Sequence, residues 1–224
     1  MRKSFVLCLA LLVLSVSTAV AQGSNNAAAA PAADAIKIAL PAPSQSGGMT
    51  LTQALVTRRS VRAYAPTPLT QAELSQILWA AQGIIDQAGH RTAPSAGAQY
   101  YLHVYVANAN GFFEYLPKGH QLQKLADQDL RSKLSAQQSV NQAPTVLLIT
   151  GEYERTAQKY GPEKGPRFVN IETGHVAQNV LLQATAIGLS AVPVGGIDPK
   201  EVQKAASLPA QYSAIYLVPI GHAK

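Results

Sequence analysis

ETGHVAQNVLLQATAIGLSAVPVGG, residues 172 to 196, runs from a helix-spaced apolar series into a turn of small residues, and the rest of the chain is read outward from it. Val176, Val180, Leu181, Ala184 and Ile187 recur at intervals of three and four, which predicts a long helix over 168–187 closed by Gly188. After His175 this helix has no charged face. It is therefore expected to be buried on all sides, in part at a subunit interface, with His175 as a hydrogen-bonded core histidine. The following Pro193, Val194, Gly195 and Gly196 lie just past a strand, where small side chains let backbone N–H groups approach a flat ligand.

On either side, helices and strands mix without regular βαβ alternation, so the class is α+β. LTQALVTRRS (51–60) reads as a short helix with Leu51 and Leu55 on one face. Thr70 and Glu73 have capping-box spacing ahead of Leu74, Ile77, Leu78 and Ala81, and Gly83 supplies the stop. Strands are expected at 101–108, at 143–151 as a continuously apolar and therefore buried run, and at 214–221. Two short strands should turn at Pro117 to Gly119; a short helix is expected at 128–134, and another opens at Asp198 and Pro199.

Arg2 and Lys3 precede an apolar run that leads into Ala19-Val20-Ala21, the layout of a cleaved secretory signal peptide over residues 1–21. The alternative is an uncleaved anchor, since 4–20 nearly has spanning length. Cleavage would remove Cys8, the only cysteine, and with it disulfides, thiol nucleophiles and thiolate-bound zinc; it would also lower the formal charge from +6 to +4. This suits a periplasmic or secreted protein. No Lys/Arg run exceeds two residues, which argues against a nucleic-acid partner. Residues 22–48 are rich in Ala, Pro, Ser and Gly and read as a tether, with Ile36-Lys37-Ile38 able to dock as an edge strand, and 49–224 form the folded domain.

RRSVRAYAP (58–66) gathers Arg58, Arg59, Ser60 and Arg62 in a chain with only 13% charged residues, a donor set that suits a phosphate monoester. A solvated helix end would present the same cations. APSAGAQ (93–99) is a second small-residue stretch ahead of a strand. Lys159 and Tyr160 set an ammonium beside a phenol, which suits proton transfer if desolvated near a redox cofactor and is otherwise an ordinary pair in an exposed loop. The five histidines lack metal-site spacing, so no metal is expected. Dinucleotide, P-loop and nucleophile-elbow motifs do not occur.

In order, RRSVRAY (58–64), LTQAELSQILWAAQGI (69–84), HRTAPSAGAQYYLHVYV (90–106), FEYLPKGHQL (113–122), ERTAQKYG (154–161), the stretch 172–196 and IYLVPIG (215–221) resemble the nitroreductase superfamily. Within it they look like the SagB-type dehydrogenases of thiazole and oxazole formation, which use flavin mononucleotide (FMN). The resemblance covers Thr50 to Gly221. It implies a nitroreductase-like mixed central sheet flanked by helices, arranged as an intertwined homodimer with FMN at the interface. Arg58, Arg59, Ser60 and Arg62 would hold the phosphate and the pyrimidine edge; Pro94, Ser95, Ala96 and Gly97, with Gln99 nearby, would line the ring from the other chain. Pro193, Val194, Gly195 and Gly196 would pass beneath it. Lys159 and Tyr160 match a pair proposed to remove a proton while hydride leaves to flavin N5.

Two positions depart from that pattern. Gly97 stands where many members carry Asn, and only Lys224 could replace a basic C-terminal residue at the phosphate. Export also sets the chain apart from cytoplasmic azole-forming enzymes. Reduced nicotinamides are not expected outside the cytoplasm, so a dehydrogenase acting on a small or peptide-like substrate and passing electrons to a redox partner is favoured. Two other readings stay open: a flavin-binding carrier without turnover, and an NAD(P)H-dependent nitro or quinone reductase.

Overall fold

The computed structural model describes residues 36–224. The expected signal peptide and the first part of the expected tether lie outside the described residues. Among the described residues no helix is long and apolar enough to cross a membrane.

The fold is built around β5 (Thr145–Gly151), in which every residue is buried. It pairs with β2 (Leu102–Asn108) and β7 (Ser213–His222). β3 (Gly111–Leu116), β4 (Gln121–Ala126) and the edge strand β1 (Lys37–Ala39) extend one side, and β6 (Leu189–Ala191) completes the other, giving the order β1-β4-β3-β2-β5-β7-β6. Every strand pair is antiparallel. The parallel component of the expected mixed sheet is one isolated bridge, Ser60 to Ala191.

Alternate residues of β5 face opposite layers, as strand geometry requires. Leu147 and Ile149 pack with Ile77 and Leu78 of α2 (Gln71–Gln82) and Val176 and Val180 of α6 (Lys164–Ala186). Val146 and Leu148 pack with Leu134 of α3 (Arg131–Leu134), Val140 of α4 (Gln138–Asn141) and Val202 of α7 (Pro199–Ala205). The sheet is thus flanked by helices on both faces, the nitroreductase-like α+β arrangement.

Local signals hold where they are chemically complete. The Thr70–Glu73 capping box forms at α2, and the Asp198 side chain accepts from the Lys200 and Glu201 amides at the start of α7. The Ile36 region docks as the expected edge strand, and the chain after it is fastened too: Ser75 Oγ donates to the Pro41 carbonyl at 2.5 Å.

Several expectations change. The helix expected over 128–134 is the single turn α3, with a second turn at α4. The long helix starts at Lys164, because Pro166 falls in its first turn, where a missing N–H costs nothing. Within one chain it is not buried all round: Val176, Ala177, Val180, Leu181 and Ala184 form the buried face, while Gly174, His175 and Gln178 are exposed. His175 therefore lies outside the core of its own chain. On α1 (Leu51–Thr57) Ala54 is the buried residue, and Leu51, Leu55 and Val56 are 65%, 55% and 66% exposed.

Candidate functional site

The residues singled out from the sequence form two groups. In the first, α1 ends at Arg58 and the chain runs beside β6: Ser60 bridges Ala191, and the Val61 amide donates to the Ala191 carbonyl at 3.1 Å. This sets the arginine cluster against the start of the 192–196 turn, although about 130 residues separate them in the chain. The turn is fixed from behind, where Val194 and Leu217 exchange backbone hydrogen bonds at 2.8 and 3.0 Å. Gly195 and Gly196 are exposed, and their N–H groups have no acceptor among the described residues. A Cβ on Gly195 would stand 3.3 Å from the Tyr216 ring.

Arg59 folds back onto the Val56 and Arg58 carbonyls at 2.8 Å each. The Arg58 and Arg62 guanidinium groups have no protein acceptor among the described residues. The C-terminus comes to the same place: Ala223 bridges Tyr64 antiparallel, so Lys224 follows directly beside the arginine segment. Charge at this end is positive and unpaired, which suits a dianion.

The second group is organised by α5 (Tyr153–Tyr160), a helix rather than the exposed loop considered from the sequence. α5 packs closely on α6 because Gly165 has no side chain; a Cβ there would meet the Ala157 backbone at 2.5 Å. Lys159 and Tyr160 occupy the last turn, and Tyr160 packs edge-to-face on Phe168 with ring centroids 5.0 Å apart. Opposite lies the Pro94 to Gln99 turn. A Cβ on Gly97 would come 2.5 Å from Tyr160 Oη and 3.4 Å from Lys159 Nζ, so glycine at this position is what admits the pair.

That turn is strained and pinned. Gly97, Ala98 and Tyr100 have φ of +60°, +51° and +52°, and a bulky aromatic in the left-handed region persists only where its surroundings impose it. Ser95 Oγ donates to Glu172 Oε2 at 2.6 Å and accepts from the Tyr100 amide at 2.8 Å, and Gln99 Nε2 donates to the Gly97 carbonyl at 2.9 Å. Glu172 is 2% exposed, and burial pushes its carboxyl above the usual range against the opposing pull of Ser95 and Arg91. Burial likewise raises the Tyr101 phenol, whose hydroxyl lies toward Tyr160 without a hydrogen bond of good geometry.

Sequence reasoning missed Glu172, Arg91 and Tyr101. The usable signal for Glu172 was that it is the one acid between Phe168 and Ile187, on a helix otherwise apolar enough to face a core. Among the described residues no hydrogen bond or strand pairing links the two groups, and no cluster of His, Cys, Asp or Glu can hold a metal ion.

The helix-flanked antiparallel sheet and the family it belongs to are those of an FMN-type oxidoreductase. The chain belongs to the nitroreductase family, whose model matches residues 55–222. It is 39% identical over 198 residues to the "Putative nitroreductase MJ1384" of Methanocaldococcus jannaschii, covering 84% of this chain and 97% of that protein. The crystal structure of a "putative nitroreductase" from Ralstonia eutropha JMP134 superposes with TM-score 0.79 at 33% identity, over 84% of this chain and 90% of that one. A chain of the E. coli microcin synthetase McbBCD complex, with truncated pro-MccB17 bound, shares the fold at TM-score 0.67 and 20% identity, over 96% and 85% of the two chains.

Proposed function

We propose that this chain is an exported, homodimeric FMN-dependent dehydrogenase of the SagB type, acting on a small or peptide-like substrate. The observation that carries the reading is the approach of Lys159 and Tyr160 to Gly97, which brings a base and a phenol onto the turn the resemblance assigns to the flavin ring.

The residues present fit FMN. Arg58 and Arg62, with Lys224 beside them, offer unpaired cations for the phosphate, and the exposed Gly195 and Gly196 amides offer donors to the ring edge. Bound FMN would supply the hydride acceptor that no side chain provides. The chain's own part is to orient and to move a proton. Tyr160, steadied by Phe168, aims its hydroxyl at the Gly97 turn, and with Lys159 Nζ, 5.5 Å from the Tyr160 ring centroid, it forms the pair that would accept the substrate's proton as hydride leaves to the flavin.

Lys159 is exposed within one chain, so the water exclusion such chemistry needs falls to a second copy. The bare Leu51, Leu55 and Val56 on α1, with Ile171 on α6 at 44% exposure, are apolar surface of the kind a homodimer covers. The division of the candidate residues into two unconnected groups supports an active site completed between copies. Mature protein beginning at Gln22, recovered from outside the cytoplasm, would support export; a Met1 start there would refute cleavage.

The test of turnover is anaerobic flavin reduction by candidate donors. Lys159→Ala and Tyr160→Phe should each slow it roughly a hundredfold or more with FMN affinity unchanged. Unaltered rates would leave a flavin carrier as the reading. The M. jannaschii relative's name favours a second reading, nitro reduction; with NADPH as the donor, it requires rapid bleaching of bound flavin when NADPH is added.

A further inference from the structure

A cavity of about 340 Å³ opens at the end of the sheet, lined in part by Gln99 and Tyr100 of the turn that Lys159 and Tyr160 approach at Gly97. Its lining includes Arg91, Gln99, Tyr100, Glu114, Glu152 and Arg155. Arg155 lies one helical turn before Lys159 on α5, and its Nη2 donates to the Gln99 carbonyl at 3.2 Å. One wall of the cavity and the proposed proton-transfer pair are therefore parts of the same turn and helix.

The charges along this wall are unevenly matched. Arg155 pairs with Glu152 at 2.8 Å, and His103 lies between Glu114 at 3.0 Å and Glu152 at 3.3 Å. Arg91 stands apart. Its guanidinium covers the Tyr100 ring at 4.5 Å and gives one hydrogen bond, from Nη1 to Gln82 Oε1 at 2.9 Å. No carboxylate among the described residues lies within 4.0 Å of it, and Glu172 acts on it only through space. A half-buried cation holding most of its five donors unused costs free energy that an anion would recover.

We infer that this cavity is a carboxylate-binding subsite, in which Arg91 takes the acid group of a small monocarboxylate and Glu114 takes an amino or hydroxyl donor at its other end. A monoanion matches the one unpaired cation, whereas a phosphate dianion would meet the carboxylates of Glu114 and Glu152. The volume suits a small molecule, and guanidinium fork geometry suits a carboxylate. The inference rests on the dehydrogenase reading only in calling the ligand a substrate, since the binding itself needs no turnover.

Binding is measured on the full FMN-loaded protein by calorimetric or NMR titration with β-alanine, propionate and β-alaninamide. β-Alanine should bind saturably and more tightly than propionate, and β-alaninamide, which lacks the anion, should not bind. Arg91→Gln should weaken β-alanine at least tenfold with its melting temperature and flavin content kept. Glu114→Gln should abolish the preference for β-alanine over propionate. If Arg91→Gln misfolds, Arg91→Lys serves, and retained but weakened binding is then expected. Absence of saturable binding, indifference to both Arg91 variants, or equal competition by chloride or phosphate overturns the site. Binding without flavin reduction by any carboxylate of this class would leave the site standing and reject its role in turnover.

Discussion

Gly97 and the Tyr160 hydroxyl occupy adjoining space, so close that a methyl group on Gly97 would stand 2.5 Å from Tyr160 Oη. Residues 63 positions apart are thereby made a single unit, and the unit explains why glycine, with φ of +60°, stands at position 97. Gly97→Ala should cost about 1–2 kcal/mol for the left-handed backbone alone. The contact adds to this. Removing the hydroxyl in Gly97→Ala/Tyr160→Phe should restore part of the lost stability in urea denaturation; strictly additive losses would show that the two residues do not touch.

Arg58→Ala should weaken FMN binding roughly tenfold to a hundredfold, the scale of one charge-assisted hydrogen bond. Riboflavin lacks the phosphate. Its affinity should not change, and equal weakening of both ligands in fluorescence titrations would remove the phosphate role.

Glu172 gives a pH dependence of definite sign. Its folded-state carboxyl sits above the ordinary glutamate value of 4.5, chiefly through burial, so the folded chain holds the proton longer than the unfolded one. The stabilising contribution is complete below pH 4.5 and is lost as pH rises through the folded-state value. Glu172→Gln, which keeps an acceptor for Ser95 Oγ, should flatten the fall in unfolding free energy above that pH. Parallel wild-type and variant curves would contradict this.

Thr70→Ala removes the side-chain acceptor for the Glu73 amide and should cost about 1 kcal/mol, read as a lower denaturation midpoint with unchanged slope. Flavin binding should be untouched, since neither Thr70 nor Glu73 is among the residues assigned to the phosphate or the ring.

What could be read directly were features whose cause is local. The Thr70 capping box, the Asp198 cap, the apolar run of β5 and the Pro117 to Gly119 turn depend on neighbours a few residues away, and each stands where the pattern put it. Helix α5 was not legible. Its apolar contact is confined to one face with Thr156 buried, and its place depends on Gly165 admitting α6. The exposure of His175 was equally hidden, because a helix without charge does not say which of its sides the same chain covers.

The sequence by itself determined most of the elements, the family and the kinds of donor available, since periodicity, caps and the spacing of arginines and glycines are properties of short segments. Only the tertiary structure decided which of them meet. It joined Ser60 to Ala191 and Gly97 to Tyr160, kept those two pairs in separate groups, and left Arg91 without a counter-ion among the described residues, beside a cavity. Such pairings depend on how layers pack across a sheet, and sequence distance carries no trace of that.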